Sequence, residues 1–426
     1  MQTPSRGSRW RSFFQPLHLR DFRLLWLGES VSLLGDQFYF VALTWLTLQI
    51  TGSGLALGTV LMLAAIPRAA LMLIGGAVTD RMSPRVIMLI SNAARAILVA
   101  VLTALIVLRG AALWNLYLVA LLFGTFDAFF YPAFQSFVPR LVADDELERA
   151  NSLIQGTSQL SVLVGPGIAG VLIASTGTAA AFGIDAATFV FAAITVWMMR
   201  SSGRLLASAA PSGQQTQEVA DAEPKRRGLL ADVLEGLRYA WSDPIFRSLV
   251  LIVAAIDFSF VGPINVGLAT LAKTRFAEGA TAFGVMISAF GAGALVGTII
   301  GGVIGRPNRR GLIMIGITGV MGLGLAMIGW VPGLFSAIGV IAILGVASGL
   351  INVLALSWVQ LRTEKRFLGR LMSLVMFASQ GLAPLSYVVA GALVDLHLTL
   401  MFTAAGGLVL LATLYAALSH EVRRID

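Results

Sequence analysis

Four carboxylates and two guanidinium groups stand inside runs of sequence that are otherwise apolar: Glu29, Asp36, Asp127 and Asp257, with Arg68 and Arg95. An ionised side chain at the middle of a hydrocarbon layer costs roughly 2.5–3.5 kcal/mol on insertion scales, so each needs a reason to be there. Glu29 and Asp36 are seven residues apart, which on a helix puts them on nearly one face, about 10 Å apart along the axis. Asp36 falls near mid-depth, where a desolvated carboxyl can take up and release a proton near neutral pH. The alternative is a fixed ion pair with Arg68 or Arg95. Asp127 and Asp257 have the same two readings, proton coupling or an interhelical hydrogen bond, and Asp257 precedes Gly262-Pro263, a break in a helix. Asp185 reads as structural, at the start of a span near the surface, and Asp395 sits at a span end within reach of water. Arg68 and Arg95 can neutralise these acids or attract an anion; Arg95, one turn after Asn92, reads as a structural partner. Phe126, Phe129, Phe130, Tyr131 and Phe134 form an aromatic cluster. Phe126, Phe130 and Tyr131 are candidates to stack on a large apolar molecule, unless they serve helix packing.

Other chemistry finds no residues to carry it. There is no cysteine, which excludes disulfides, thiol catalysis and cysteine-ligated metals. The three histidines, His18, His397 and His420, have no metal-binding spacing. No phosphate-binding glycine loop or nucleophile elbow is visible, so neither an enzyme nor a nucleotide-driven motor is expected, and no cofactor.

The elements that must position these charges are helices. Of 426 residues, 57% are hydrophobic and only 12% charged, about half the usual charged share. Apolar stretches of about 20 residues recur, each long enough to cross a hydrocarbon core of roughly 30 Å. A membrane barrel would show short alternating segments instead. Twelve spans are expected: 22–50, 54–79, 85–108, 112–138, 151–174 and 178–199, then 245–272, 281–305, 311–331, 334–361, 369–395 and 399–418. No cleavable leader is evident ahead of the first span. With the N-terminus inside, the inner loops hold most of the basic residues, among them Arg81, Arg85, Arg140, Arg200 and Arg310. The outer loops hold Arg109, Lys273 and Arg275. This sidedness accounts for the net charge of +8 without nucleic acid.

Residues 200–228 form a Ser/Ala/Gln-rich linker, and 229–241 read as an amphipathic helix along the membrane surface. The expected organisation is 1–199, 200–244 as a cytoplasmic linker, and 245–426. The halves repeat faintly at an offset of 221: Arg149 and Ser152-Leu153 with Arg370 and Ser373-Leu374, Ser158-Gln159 with Ser379-Gln380, Ala169-Gly170 with Ala390-Gly391. Such parallel repeats surround a midplane site in transporters.

The stretch Gly76-Ala-Val-Thr-Asp80-Arg81-Met-Ser-Pro-Arg85 puts glycine, anion and cations into a short hinge between two spans. It resembles the loop between spans two and three of the major facilitator superfamily, and Gly301 to Arg310 is a second copy with Gly305 in place of the acid. The resemblance implies an all-α membrane protein of twelve transmembrane helices in two pseudo-symmetric six-helix bundles. It also implies a gate at Gly76, Asp80, Arg81 and Arg85 that breaks and reforms. Ser32 to Asp36, Thr44-Trp45, Thr51-Gly52-Ser53 and Ile66-Pro67 resemble the branch of enterobactin exporters, macrolide efflux proteins and lysophospholipid transporters. Gly165, Pro166 and Gly170 resemble an antiporter motif of the fifth span. In the fourth span Ala120 stands where drug antiporters carry an arginine. The same family architecture implies that Asp127 and Asp257 line a cavity.

The expectation is a multi-pass cell-membrane protein with both termini cytoplasmic, a monomer in the lipid bilayer. It would export a small amphipathic compound, a drug or metabolite, driven by protons. A siderophore or lysophospholipid transporter is the alternative, and a non-transporting receptor or scaffold is the reading from a different class.

Overall fold

The computed structural model describes residues 14–79, 81–200, 244–305, 307, 309–362 and 381–419. All regular structure among them is helical. The first half contains α1 (Arg20–Thr51), α2 (Gly54–Thr79), α3 (Pro84–Val107), α4 (Leu113–Phe137), α5 (Leu147–Thr176) and α6 (Thr178–Met198). In the second, α7 (Pro244–Gly262) runs through a π-turn, Pro263–Gly267, into α8 (Leu268–Arg275). Then follow α9 (Ala280–Ile304), α10 (Arg310–Ile328), α11 (Leu334–Arg362), α12 (Ala383–Leu396) and α13 (Leu398–Leu418). Among the described residues, eleven crossings are long and apolar enough to span a membrane, and α12 is a shorter apolar helix.

The expected spans and the helices agree to within a few residues for most elements, with one difference. Gly262-Pro263 does not break the seventh crossing. The chain stays helical through a single π-turn, because Ser386 on α12 accepts the Gly262 amide at 2.8 Å and donates to the Phe258 carbonyl at 2.5 Å. A side chain thus satisfies backbone groups around the proline, as tolerated prolines in membrane helices require. The eleventh crossing is described only as α12. The linker, the surface helix expected over 229–241 and the repeat positions 370–380 lie outside the described residues, as does Asp80.

Helices end where the chain needs a conformation that side chains resist. Gly52, at φ +67°, closes α1, and Gly177, at φ +85°, turns α5 into α6. Within the first bundle α1 packs on α5 and α6, α2 on α4, and α3 on α4 and α6. In the second, α9 packs on α11, α10 on α11 and α13, and α7 on α12 and α13. Two seams join the bundles, α5 with α9 and α2 with α12.

Small residues set both seams. Gly170 faces the first turn of α9, where a Cβ would lie 3.1 Å from the Gly284 and Thr281 Cα atoms. Gly391 faces the first turn of α2, where a Cβ would lie 2.9 Å from the Leu55 Cα. These glycines are partners in the internal repeat, and each lets its helix meet the start of a helix from the other half.

Candidate functional site

The charges flagged in the sequence converge in the first bundle. Arg95 of α3 is 2% exposed, and three rings contributed by α4 and α6 surround it. Its guanidinium carbon lies 4.4 Å from the Phe130 centroid, 4.5 Å from Phe189 and 5.7 Å from Phe123. Its Nη2 donates to Asn92 Oδ1 at 2.7 Å, and its Nη1 lies 3.6 Å from Asp127 Oδ1. The other oxygen of Asp127 takes Arg68 Nε at 2.8 Å. Asp127 of α4 is therefore bridged between an arginine of α2 and one of α3. Aromatic faces hold the buried cation by their quadrupoles where water cannot reach it.

Of the acids these arginines could neutralise, the one they take is Asp127, and the fixed ion pair that is the alternative reading of Asp36 does not form. Helix rotation decides this, and spacing along one chain cannot show it. Asp36 sits beside the cluster, close enough for the charges of Arg95, Asp127 and Arg68 to act on it, and its Oδ1 is buried with no hydrogen-bond partner. Glu29, two turns along α1 toward the chain termini, is half-buried. Asp257 is half-buried on α7, in the other bundle.

Of the aromatic candidates, Phe130 belongs to the packing around Arg95 and stacks on Phe134 at 6.0 Å. Phe126 is half-buried. Tyr131 is exposed, and its hydroxyl accepts from Gln135.

Asp185 is placed differently from its sequence reading. The helix starts where expected, but Asp185 lies two turns inside it and is 0% exposed. Gly35 brings α1 and α6 together at this level; a Cβ on Gly35 would lie 2.6 Å from Asp185 Oδ1. The pair Gly28 and Gly35, seven apart and both facing α6, was the signal in the sequence for this close seam.

The fifth-span motif lies partly on the seam between bundles. Gly165 backs onto Gln37 of α1, Gly170 meets α9, and the Gly167 amide donates across the seam to Ser288 Oγ at 2.9 Å. In the loop motif, Gly76 falls within α2 and Arg81 in the turn after it. Arg85 donates to the carbonyls of Val196 at 3.0 Å and Trp197 at 2.6 Å, at the C-terminus of α6. A cation there satisfies terminal carbonyls and complements the helix dipole.

At the end of the molecule away from the chain termini, two side chains of the second bundle clasp the α1–α2 turn. The Asp395 carboxylate accepts from Ser53 Oγ at 2.6 Å, the Gly54 amide at 2.5 Å and the Leu55 amide at 3.0 Å. Lys273 donates to the Leu48 carbonyl at the C-terminus of α1. An anion on a helix N-terminus and a cation on a helix C-terminus each match the local dipole.

The major facilitator superfamily model matches residues 25–387. The chain belongs to the major facilitator superfamily. It is 28% identical over 422 residues to the multidrug efflux pump Tap of Mycolicibacterium fortuitum, covering 96% of this chain and 97% of that one. It is 23% identical over 411 residues to macrolide efflux protein A of Streptococcus pyogenes, covering 95% and 97%. Its fold superposes on a bacterial homologue of the iron transporter ferroportin in an inward-facing state, with a TM-score of 0.70 at 17% identity, covering 94% and 99%. The nucleoside transporter NupG gives 0.72 at 13% identity, covering 92% and 98%. The superfamily is one of membrane transporters, and the twelve-helix fold of this chain is theirs.

Proposed function

We propose that this transporter exports a small amphipathic compound, a drug or metabolite, in exchange for protons. The observation that carries the reading is Asp36: a carboxylate near mid-span with an unpaired oxygen, beside an Asp127 already held by two arginines. A locked ion pair cannot easily change its charge, whereas an unpaired carboxyl can. Asp36 is then the site of proton exchange. Glu29 lies on the same helix toward the cytoplasm, and Asp257 answers from the second bundle. Drug efflux by relatives aligned over nearly the whole chain supports the direction and the substrate class.

The gating follows from the seams. Both termini are cytoplasmic by the distribution of basic residues, with the segment 200–244 joining the two bundles on that side, and one chain, a monomer, carries both halves of the transport path. The Asp395–Lys273 clasp then closes the external end, and the hinge of Gly76, Asp80, Arg81 and Arg85 closes the cytoplasmic end in the alternate state. Proton binding biases the equilibrium between the two.

Inside-out vesicles from cells expressing the protein test this reading. A fluorescent lipophilic cation and a macrolide should accumulate when the vesicles are energised. Accumulation should collapse when a protonophore is added. Accumulation that ignores the protonophore would contradict proton exchange, and none across a broad panel of compounds would contradict export.

A further inference from the structure

We propose that Asp185 is a second proton-binding carboxyl of this transporter, and that it shares a proton with Asp36 across the α1–α6 seam. The inference rests on the proton-exchange reading for the use made of that proton, and on geometry for the site itself.

Three buried oxygens in this one seam have no hydrogen-bond partner: Asp36 Oδ1, Tyr39 Oη and Asp185 Oδ2. Asp36 and Tyr39 are one turn apart on α1. Phe182 and Asp185 are one turn apart on α6, and the Tyr39 ring meets Phe182 edge-on at 5.8 Å. Gly35, next to Asp36, is the residue that Asp185 packs against. Asp185 Oδ1 accepts only a long contact from Thr188 Oγ1, at 3.4 Å. Asp185 is 0% and Tyr39 6% exposed. An ionised carboxylate with one oxygen bare in a dry seam would carry its full desolvation cost, far more than a neutral carboxyl there.

The nearby cations are committed elsewhere. Arg68 Nε and the terminal nitrogens of Arg95 are held by Asp127 and Asn92; Arg95 Nε is buried with no partner, so Arg95 reaches Asp185 as a field without a hydrogen bond. Glu29 lies two turns from Asp36 along α1, and α5 approaches here through Gly165, which packs on the uncharged Gln37 of α1. A proton is therefore the cheapest way to neutralise the pair. Asp36 is half-buried and is the entrance. A proton arriving there from water passes on as the O–H bond on Asp36 breaks and one forms on Asp185, leaving Asp36 ionised. Release reverses the step, and the Tyr39 hydroxyl, which bonds neither carboxylate in this structure, is a donor left free to turn to one that ionises.

Difference infrared spectroscopy on the purified, reconstituted full-length protein reads the carbonyl stretch of a protonated carboxyl directly. Two such bands should appear as the pH is lowered. Asp185→Asn should remove one, Asp185→Glu should restore it, and Asp36→Asn should shift the titration of the band that remains. Flux driven by a pH gradient should fall about tenfold in Asp185→Asn and return in part in Asp185→Glu. If Asp185→Asn fails to fold, Tyr39→Phe carries the test, because it should move the Asp185 band. A folded Asp185→Asn with unchanged bands, or an Asp185 band indifferent to both Asp36→Asn and Tyr39→Phe, would overturn the shared site. Wild-type bands without gradient-driven flux would contradict proton exchange and uphold the site; flux without bands would do the reverse.

Discussion

Arg95 keeps its charge where water does not reach, and three rings, one amide and one carboxylate make that possible. Arg95→Ala removes all five contacts and leaves Asp127 with Arg68 alone. Breaking a buried pair in this way costs about 3–5 kcal/mol. A marked fall in the melting temperature in detergent is expected. Arg95→Lys should recover little of it, because an ammonium cannot lie flat between rings or bond Asn92 and Asp127 together. A melting temperature equal to wild type in Arg95→Lys would show that charge alone suffices. The sequence made these residues visible because a charge in an apolar run is conspicuous. It hid their pairing, which depends on how α2, α3 and α4 are rotated against one another. Asp185 was visible as a residue and misplaced in depth: two turns of helix separate the edge of a span from its dry interior.

Glycines decide how helices approach, and charges at helix ends decide how firmly the bundles hold each other. Gly170 and Gly391 occupy matching places in the two halves, each under the first turn of a helix from the other half. Leucine at either position should prop that seam open and impair transport, which a flux assay on reconstituted protein would show; unimpaired flux would contradict the close-packed seams. The Asp395 and Lys273 clasp invites a more specific test. Asp395→Asn combined with Lys273→Gln should shift the population with this end closed by about tenfold, equivalent to about 1.4 kcal/mol. The chain has no cysteine, so spin labels placed through Ile50→Cys and Leu396→Cys report the distance across this end alone. An unchanged distance distribution in the double variant would mean the clasp does not bias the gate. Neither clasp residue drew attention in the sequence as a partner for the first bundle. Asp395 was read as water-facing and Lys273 only as an external loop charge, because a contact between halves 225 or 340 positions apart leaves no local pattern.

At the scale of the whole molecule, composition and span length were enough to specify a helical membrane protein. The loop motif beginning at Gly76 was enough to resemble its family. The fold bears this out over both halves, and the faint repeat at an offset of 221 acquires a physical meaning at the seams. What the molecule moves was less legible, since specificity comes from side chains brought together by twelve helices rather than from any one segment. The central claim is that a proton at Asp36 is exchanged for substrate as the two bundles alternate. Purified protein in sealed liposomes, loaded with a fluorescent lipophilic cation and given an imposed pH gradient, tests it most directly. Substrate should move against its concentration only while the gradient lasts, and Asp36→Asn should leave only downhill flux that ignores the gradient. Gradient-driven transport in Asp36→Asn equal to that of wild type would contradict the account.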